Sequence, residues 1–347
     1  MDQRIQQLFS IMNEIIKKAG FPGRKPLLKT YKVIPMTSSV GIIEWVSDTK
    51  PLKAVLEGEF TEEEKKVKIS NLHSAWIQEG EKEPNKGYLT SYAKRTRDQT
   101  VQHLSGLFTH VRWNLLKTAI YKLSASPEAF LSIRSRFGES LASINVCSYL
   151  LGIGDRHLDN FLVDLNRFAS DLFLPSSSFF FTHSPVSSNY SGQLVAIDFG
   201  HAFGSATQFL PYPELVPFRL TRQLVKFLSP HETGGLLENT MVRVMTCKRD
   251  SLSFPFLSFP SLRLSLYFFF FFSMCIGLQQ HKDIVLNSMD VFLKEPLLDW
   301  QKFARRQAKT TKDKGDEDIG TYAREKLSVA RSKLERLNPS CKSEQKR

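Results

Sequence analysis

Asp155 and Asn160 stand five residues apart in Gly154-Asp155-Arg156-His157-Leu158-Asp159-Asn160, and Ile197-Asp198-Phe199-Gly200 follows further along. No other feature constrains the fold as tightly. A carboxylate that can meet an attacking hydroxyl, with an amide and a second carboxylate as oxygen ligands, is the set that phosphoryl transfer from Mg-ATP requires. The five-residue step is that of Asp and Asn in a kinase catalytic loop, although the order here is Asp-Arg-His rather than His-Arg-Asp. Either piece alone is weak, and the two together are specific. Gly152-Ile153-Gly154 looks like half of a phosphate-binding glycine loop, but it lies within the catalytic loop and is not given that role.

The chain around these motifs reads as helices with a few short strands. Ile5, Leu8, Phe9, Met12, Ile15 and Ile16 recur at three- and four-residue steps, as on an amphipathic helix. Gly20, Pro22, Gly23 and Pro26 interrupt it, and 31–35 and 40–46 read as two strands around a Thr-Ser-Ser turn. Residues 60–100 are charged and weakly patterned, and short helices joined by loops are expected there. Ser126 ahead of Pro127 and Glu128 marks the start of a helix running toward Gly152.

Composition is that of a soluble globular chain: 347 residues, 41% hydrophobic and 24% charged. The net charge of +12 is read as solvated helix faces and a basic end rather than as a DNA groove. Cys147, Cys247, Cys275 and Cys341 form no zinc pattern and are read as reduced thiols of an intracellular protein. The opening MDQRIQQLFSIMNEII lacks the apolar core of a signal peptide.

Two segments break the pattern. Residues 167–191 and 246–278 are crowded with Ser, Phe, Leu and Pro, hold many of the 27 Phe, and sustain neither period 2 nor period 3.6. Their residue types are those of pyrimidine-rich codons, and the leading expectation is that both are translated introns. Removing the 25 residues 167–191 shortens the step from Asn160 to Asp198 from 38 to 13 and leaves a strand-turn-strand. Such an insert is expected to sit beside both metal ligands. Removing 246–278 is expected to restore a helical pattern from MVRVM into QQHKDIVLNSMDVF. A rival reading of the charge-free run 264–278 as a membrane span is disfavoured, because fifteen residues fall short of the roughly 20 required. No membrane partner is expected.

GIGDRHLDNFLV, IDFGHAFGSATQFLPYPELVPFRLTRQ and MDVFLKEP resemble the catalytic core of the phosphatidylinositol 3-kinase-related protein kinases. SASPEAFLSIRSRF and YKVIPMTSSVGIIEWV narrow the resemblance to the branch acting in DNA double-strand break repair by non-homologous end joining. It covers nearly the whole chain outside the two odd segments, more loosely over 60–112, and not the last dozen residues. The fold it implies is α+β, a bilobal kinase with an incomplete small lobe over 1–56, a large, mainly helical lobe over 57–301 and a basic tail over 302–347.

By position, the resemblance implies that Asp155 orients or deprotonates a Ser/Thr hydroxyl and that His157 stabilises charge on the transferring phosphoryl group. Asn160 and Asp198 would hold Mg2+. Ile43, Glu44, Trp45 and Val46 would form the hinge against the adenine of ATP, and Tyr31, Leu162 and Ile197 would line the nucleotide pocket. For Tyr31, Ile43 and Trp45, ordinary core packing is the reading without the resemblance. Also implied are Ser/Thr protein substrates followed by Gln, a Ku-type DNA-end-binding heterodimer and DNA ends as partners of a longer protein, and a nuclear location.

A lipid kinase is expected to carry several Lys or Arg between His201 and Arg222, and this stretch has no Lys and no Arg before Arg219. Protein substrate is therefore favoured over phosphoinositide. The phosphate-covering loop, its Lys and an aromatic C-terminal motif of the family are not found in the chain, so inactivity of this polypeptide alone is expected. A catalytically dead interaction module made from the same lobe is the alternative. DNA binding by the region itself is weaker still.

Overall fold

The computed structural model describes residues 1–18, 26–37, 40–79, 94–165, 167–169, 188–210, 214, 216–245, 278–294 and 319–335. Helix α1 (Asp2–Lys18) buries the apolar residues that its periodicity singles out, with Ile5, Leu8 and Met12 fully enclosed. The same face also buries two amides. Asn13 exchanges two hydrogen bonds of 2.8 Å with the backbone of Leu28, and Gln6 Oε1 accepts the Tyr31 N–H at 3.2 Å. Buried amides are retained where they are hydrogen-bonded, and these bonds of Asn13 and of Gln6 Oε1 tie the following chain to the helix.

Strands β1 (Val33–Pro35) and β2 (Gly41–Ile43) pair antiparallel with Val33 opposite Ile43, as the sequence predicts. A second sheet joins β3 (Thr49–Pro51), β4 (Phe161–Asp164) and β7 (Leu194–Ala196) in the order β3-β4-β7. Between β4 and β7 a ribbon of β5 (Arg167–Ala169) and β6 (Ser188–Tyr190) continues the hairpin outward.

The charged region after the sheet forms α2 (Leu52–Glu57), α3 (Glu62–Lys66), α4 (Ile69–Gln78) and α5 (Arg97–Thr109). Thr61 and Glu64 close a capping box on α3, as Thr96 and Gln99 do on α5. After α6 (Leu115–Leu123), helix α7 (Pro127–Leu151) opens on Ser126, whose hydroxyl accepts the Ala129 N–H at 3.2 Å. It ends at Gly152 in the left-handed conformation, φ 58°. This long helix is the axis of the molecule. Phe137, Leu141, Ile144 and Leu151 lie in one continuous core with residues of α1, β4 and β7. Ser140 on the same helix accepts the Leu194 N–H at 2.9 Å, and Ser143 donates to Pro26 at 2.6 Å.

Beyond the site lie α8 (Ser205–Phe209), α9 (Arg222–Phe227), α10 (Leu236–Met245), α11 (Lys282–Lys294) and α12 (Ile319–Leu334). Helix α10 packs along α7, and α11 packs against both α1 and α12. The ends of the second odd segment meet, since Leu278 N–H donates to Val244 O at 3.0 Å. With that segment present, α10 and α11 are two helices whose ends lie side by side. Residues 246–277, and with them the run 264–277, lie outside the described residues. Among the described residues, no helix is long and apolar enough to cross a membrane.

Of two further expectations, one falls largely outside the described residues and one differs from what is found. The first odd segment leaves the β4–β7 ladder at the Asp164–Gln193 end, whereas Asn160 and Ile197 close the opposite end. Four residues of strand, about 13 Å, separate the two ends. The segment thus departs from the end of the ladder away from Asn160 and Asp198. Residues 170–187 lie outside the described residues. Within 302–347, read as a basic tail, α12 is a packed helix that buries Ala323, Ala330 and Leu334 at helical spacing. Its many Lys and Arg hide that stripe from a reading by charge.

Candidate active site

The loop from Gly152 to Asn160 and the stretch from Ile197 to Gly204 are laced together by backbone hydrogen bonds. Gly154 N–H donates to His201 O, Phe203 N–H to Leu151 O and Gly204 N–H to Gly152 O, each at 2.8 Å. Such close approach excludes side chains. A Cβ on Gly152 would lie 2.6 Å from the Gly204 nitrogen, and one on Gly154 would lie 2.1 Å from the Ala206 Cβ.

Arg156 is the strongest fastening in the site. It is 1% exposed, yet it is fully engaged. Its Nε donates to Gly154 O at 3.0 Å, one terminal nitrogen to Ile197 O at 2.8 Å and the other to Asp198 O. The guanidinium also lies 5.2 Å from the centre of the Phe199 ring. A planar fork with five donors suits this role better than a lysine would. Burial lowers its pKa, and the charges of Asp198 and Asp155 oppose that shift.

Asn160 and Asp198 flank one end of the β4–β7 hairpin, where Ile197 N–H donates to Asn160 O at 3.1 Å. Asn160 is buried, and its Nδ2 donates to Asp155 O at 2.8 Å. Asp198 takes a left-handed φ of 55°, and its carboxylate receives the Gly200 N–H at 3.3 Å. Asp155 is also left-handed, φ 56°, and its N–H donates to the Glu214 carboxylate. His157 lies open to solvent, with Nδ1 3.9 Å from the Asp159 carboxylate, which also takes Lys53 at 3.2 Å. Phe199 is buried against Phe9 of α1, and its N–H donates to Asp2 Oδ1 at 3.0 Å.

Residues 1–254 match the family described as phosphatidylinositol 3- and 4-kinase. The chain belongs to that family. Among curated relatives it is 41% identical over 98% of its length to the DNA-dependent protein kinase catalytic subunit of Dictyostelium discoideum. It is 36% identical, again over 98%, to the protein of that name in Gallus gallus. The chain spans only 7% of the length of each. The Serine/threonine-protein kinase TOR of Oryza sativa subsp. japonica is 26% identical over 87% of the chain and 10% of the relative. The structure described as the FAT and kinase domain of CtTel1 superposes over 96% of this chain and 18% of its own, with a TM-score of 0.60 at 21% identity. The fold is thus the α+β fold of these kinases.

Within that kinase fold, the nominated residues fall into three groups. Asp155, His157, Asn160, Ile197 and Asp198 lie on the two laced segments. Leu162 is half-buried in β4, and Tyr31 is buried with its hydroxyl between the Gln6 side chain and the Asp198 backbone. Burial, then the charge of Asp2, pushes the Tyr31 phenol up to about 12. Ile43, Glu44, Trp45 and Val46, expected as the hinge, form the third group. Ile43 is 61% exposed and Trp45 88% exposed, so these two are not the core residues that composition alone suggests. Glu44 is exposed and receives the Lys32 N–H at 2.7 Å, and Val46 is half-buried. Arg156, Asp2 and Glu214 were not nominated. For Arg156 the signal was its place between Asp155 and His157; for Glu214 the sequence carries none.

Proposed function

We propose that this chain is the catalytic region of an ATP- and magnesium-dependent Ser/Thr protein kinase of DNA double-strand break repair by non-homologous end joining. The observation that carries the reading is the Arg156 clamp, which joins the loop bearing Asp155 and Asn160 to the backbone of Asp198. Buried arginine is costly, and three carbonyl acceptors offset that cost only if the two segments stay in register.

The donor set suits magnesium. Asn160 Oδ1 and the Asp198 carboxylate are hard oxygen ligands on adjoining segments, and few protein ligands suffice when phosphates and waters supply the rest. Bound Mg-ATP would supply the phosphoryl group and the positive charge that offsets its oxygens. Asp155 would receive the hydroxyl proton of a Ser or Thr. His157, open to solvent, would lend positive charge to the transferring group. Trp45, Ile43, Glu44 and Val46 would face the adenine, with Leu162 and Ile197 beneath and Tyr31 holding the Asp198 backbone.

The stretch from His201 to Arg222 supports a protein substrate, since it offers no Lys, and no Arg before Arg219, to hold inositol phosphates. Likeness to the DNA-dependent kinases supports Gln after the target residue, Ku-type and DNA-end partners for the longer protein, and work in the nucleus. Transfer of 32P from ATP by the longest polypeptide that the gene encodes, offered a Ser-Gln peptide, its Ser-Ala counterpart and phosphatidylinositol vesicles, tests the substrate class. The Ser-Gln peptide is expected to be labelled fastest and the lipid not at all; preferential labelling of the lipid would overturn the reading.

A further inference from the structure

Asp155 holds a left-handed backbone, φ 56°, which is unfavourable for a non-glycine residue and persists only where its surroundings enforce it. Both of its peptide groups are engaged by side chains. Its carbonyl accepts from Asn160 Nδ2 at 2.8 Å, and its N–H donates to a carboxylate oxygen of Glu214, 59 residues further on. A Cβ added at Gly154 would lie 3.2 Å from the same Glu214 oxygen, so the carboxylate lies directly against this turn.

We propose that Glu214 is a positioning residue for Asp155. It pins the Asp155 N–H while Asn160 holds the Asp155 carbonyl, and so sets the direction in which the Asp155 carboxylate leaves the loop. Glu214 belongs to the segment that follows Gly200, and the start of that segment is already packed on the catalytic loop through Ala206 and Gly204. A charged acceptor on a backbone N–H is about twice as strong as a neutral one. Glu214 therefore makes Asp155 geometry depend on how the segment bearing it is seated. This inference rests on the kinase reading above, because Asp155 has a direction worth fixing only if it meets a hydroxyl.

The test compares Glu214→Ala and Glu214→Gln with wild type in the longest polypeptide that the gene encodes. Steady-state kinetics on a Ser-Gln peptide and hydrogen exchange of the peptide covering 152–158 are read together. Glu214→Ala is expected to lower kcat on the order of 10²-fold, the effect of an ångström's misplacement, with KM for ATP within about twofold of wild type. Exchange at the Asp155 amide should rise in the same variant. Glu214→Gln keeps an acceptor oxygen and is expected to restore protection, with kcat within about fivefold of wild type. Unchanged exchange in Glu214→Ala would overturn the proposal, as would equal losses in both variants confined to KM for the peptide. If wild type transfers no phosphate, the kinase reading fails, while the exchange contrast still decides whether Glu214 holds the loop.

Discussion

Arg156 shows how one side chain can set the geometry of several others. It reaches three carbonyls, on Gly154, Ile197 and Asp198, and it rests on the Phe199 ring. A lysine at this position keeps the charge but has neither the planar fork nor the reach to satisfy acceptors on both segments. Arg156→Lys is expected to destabilise the fold by about 3 kcal/mol, in the range for breaking a buried charged network. Thermal melting checks this, and a midpoint within a degree of wild type would contradict it. The same residue marks a limit of reading from sequence. The motif that contains it is legible because Asp, His and Asn carry chemistry at a fixed spacing. The buried arginine between them carries none, and hydropathy places it at the surface. Asp2 and Glu214 are further cases, since their partners lie 197 and 59 residues away, and no local pattern encodes a contact at that range.

At the scale of elements, what was legible had a period or a cap. The face of α1, the hairpin of β1 and β2, and the Ser126 start of α7 all follow from spacing and from residues with one preferred position. What was not legible was packing between distant elements, as with α12, whose buried stripe of Ala323, Ala330 and Leu334 is diluted by charge. The pair α4 and α5 is joined by a polar aromatic cluster that no pattern announces. His73 Nδ1 and His103 Nε2 lie 3.3 Å apart, Trp76 stacks on His103 at 4.1 Å, and the Arg95 guanidinium lies 4.8 Å from the Trp76 ring. Burial holds the His103 pKa below its ordinary 6.5, the charges of His73 and Arg95 add to that shift, and Glu79 opposes it. Near and below that value the unfolded chain takes up a proton that the folded hairpin resists, so stability here falls as pH drops through about 6.5. Protection factors in 69–79 and 94–109, with the intrinsic pH dependence of exchange divided out, are expected to fall between pH 7.5 and pH 5.5, and His103→Gln should remove that fall. Equal sensitivity in the variant would refute the assignment.

For the molecule as a whole, the notable property is that its core is continuous from α1 through α7 to α12. Residues nominated as small lobe, large lobe and tail therefore share one buried interior. Helix α12 is fastened at its end by Leu334, which is 2% exposed and whose carbonyl accepts from Gln279 at 2.7 Å. Lys333 donates to Tyr149 O at 2.6 Å beside it, and Lys282 pairs with Glu335 at 2.8 Å. Leu334→Ala is expected to cost 2–5 kcal/mol, the usual range for truncating a buried leucine, and to lower the single melting transition rather than split it. A separate early transition for α12 would show that the core is divided. The β1–β2 hairpin stands at the other extreme. Ile34, Met36, Ile42 and Trp45 are all more than half exposed, so this surface is where further contacts can be made without disturbing the core.

The central claim is that Asp155, Asn160 and Asp198 form one phosphoryl-transfer site held by Arg156. It is tested most directly by single-turnover transfer from Mg-ATP to a Ser-Gln peptide, using the longest polypeptide that the gene encodes. Wild type is compared with Asp198→Asn and Asn160→Ala at matched thermal stability. The account predicts transfer by wild type, and losses of at least about 10²-fold in both variants as the positioning of the phosphates fails. Transfer that persists unchanged in Asp198→Asn would contradict it.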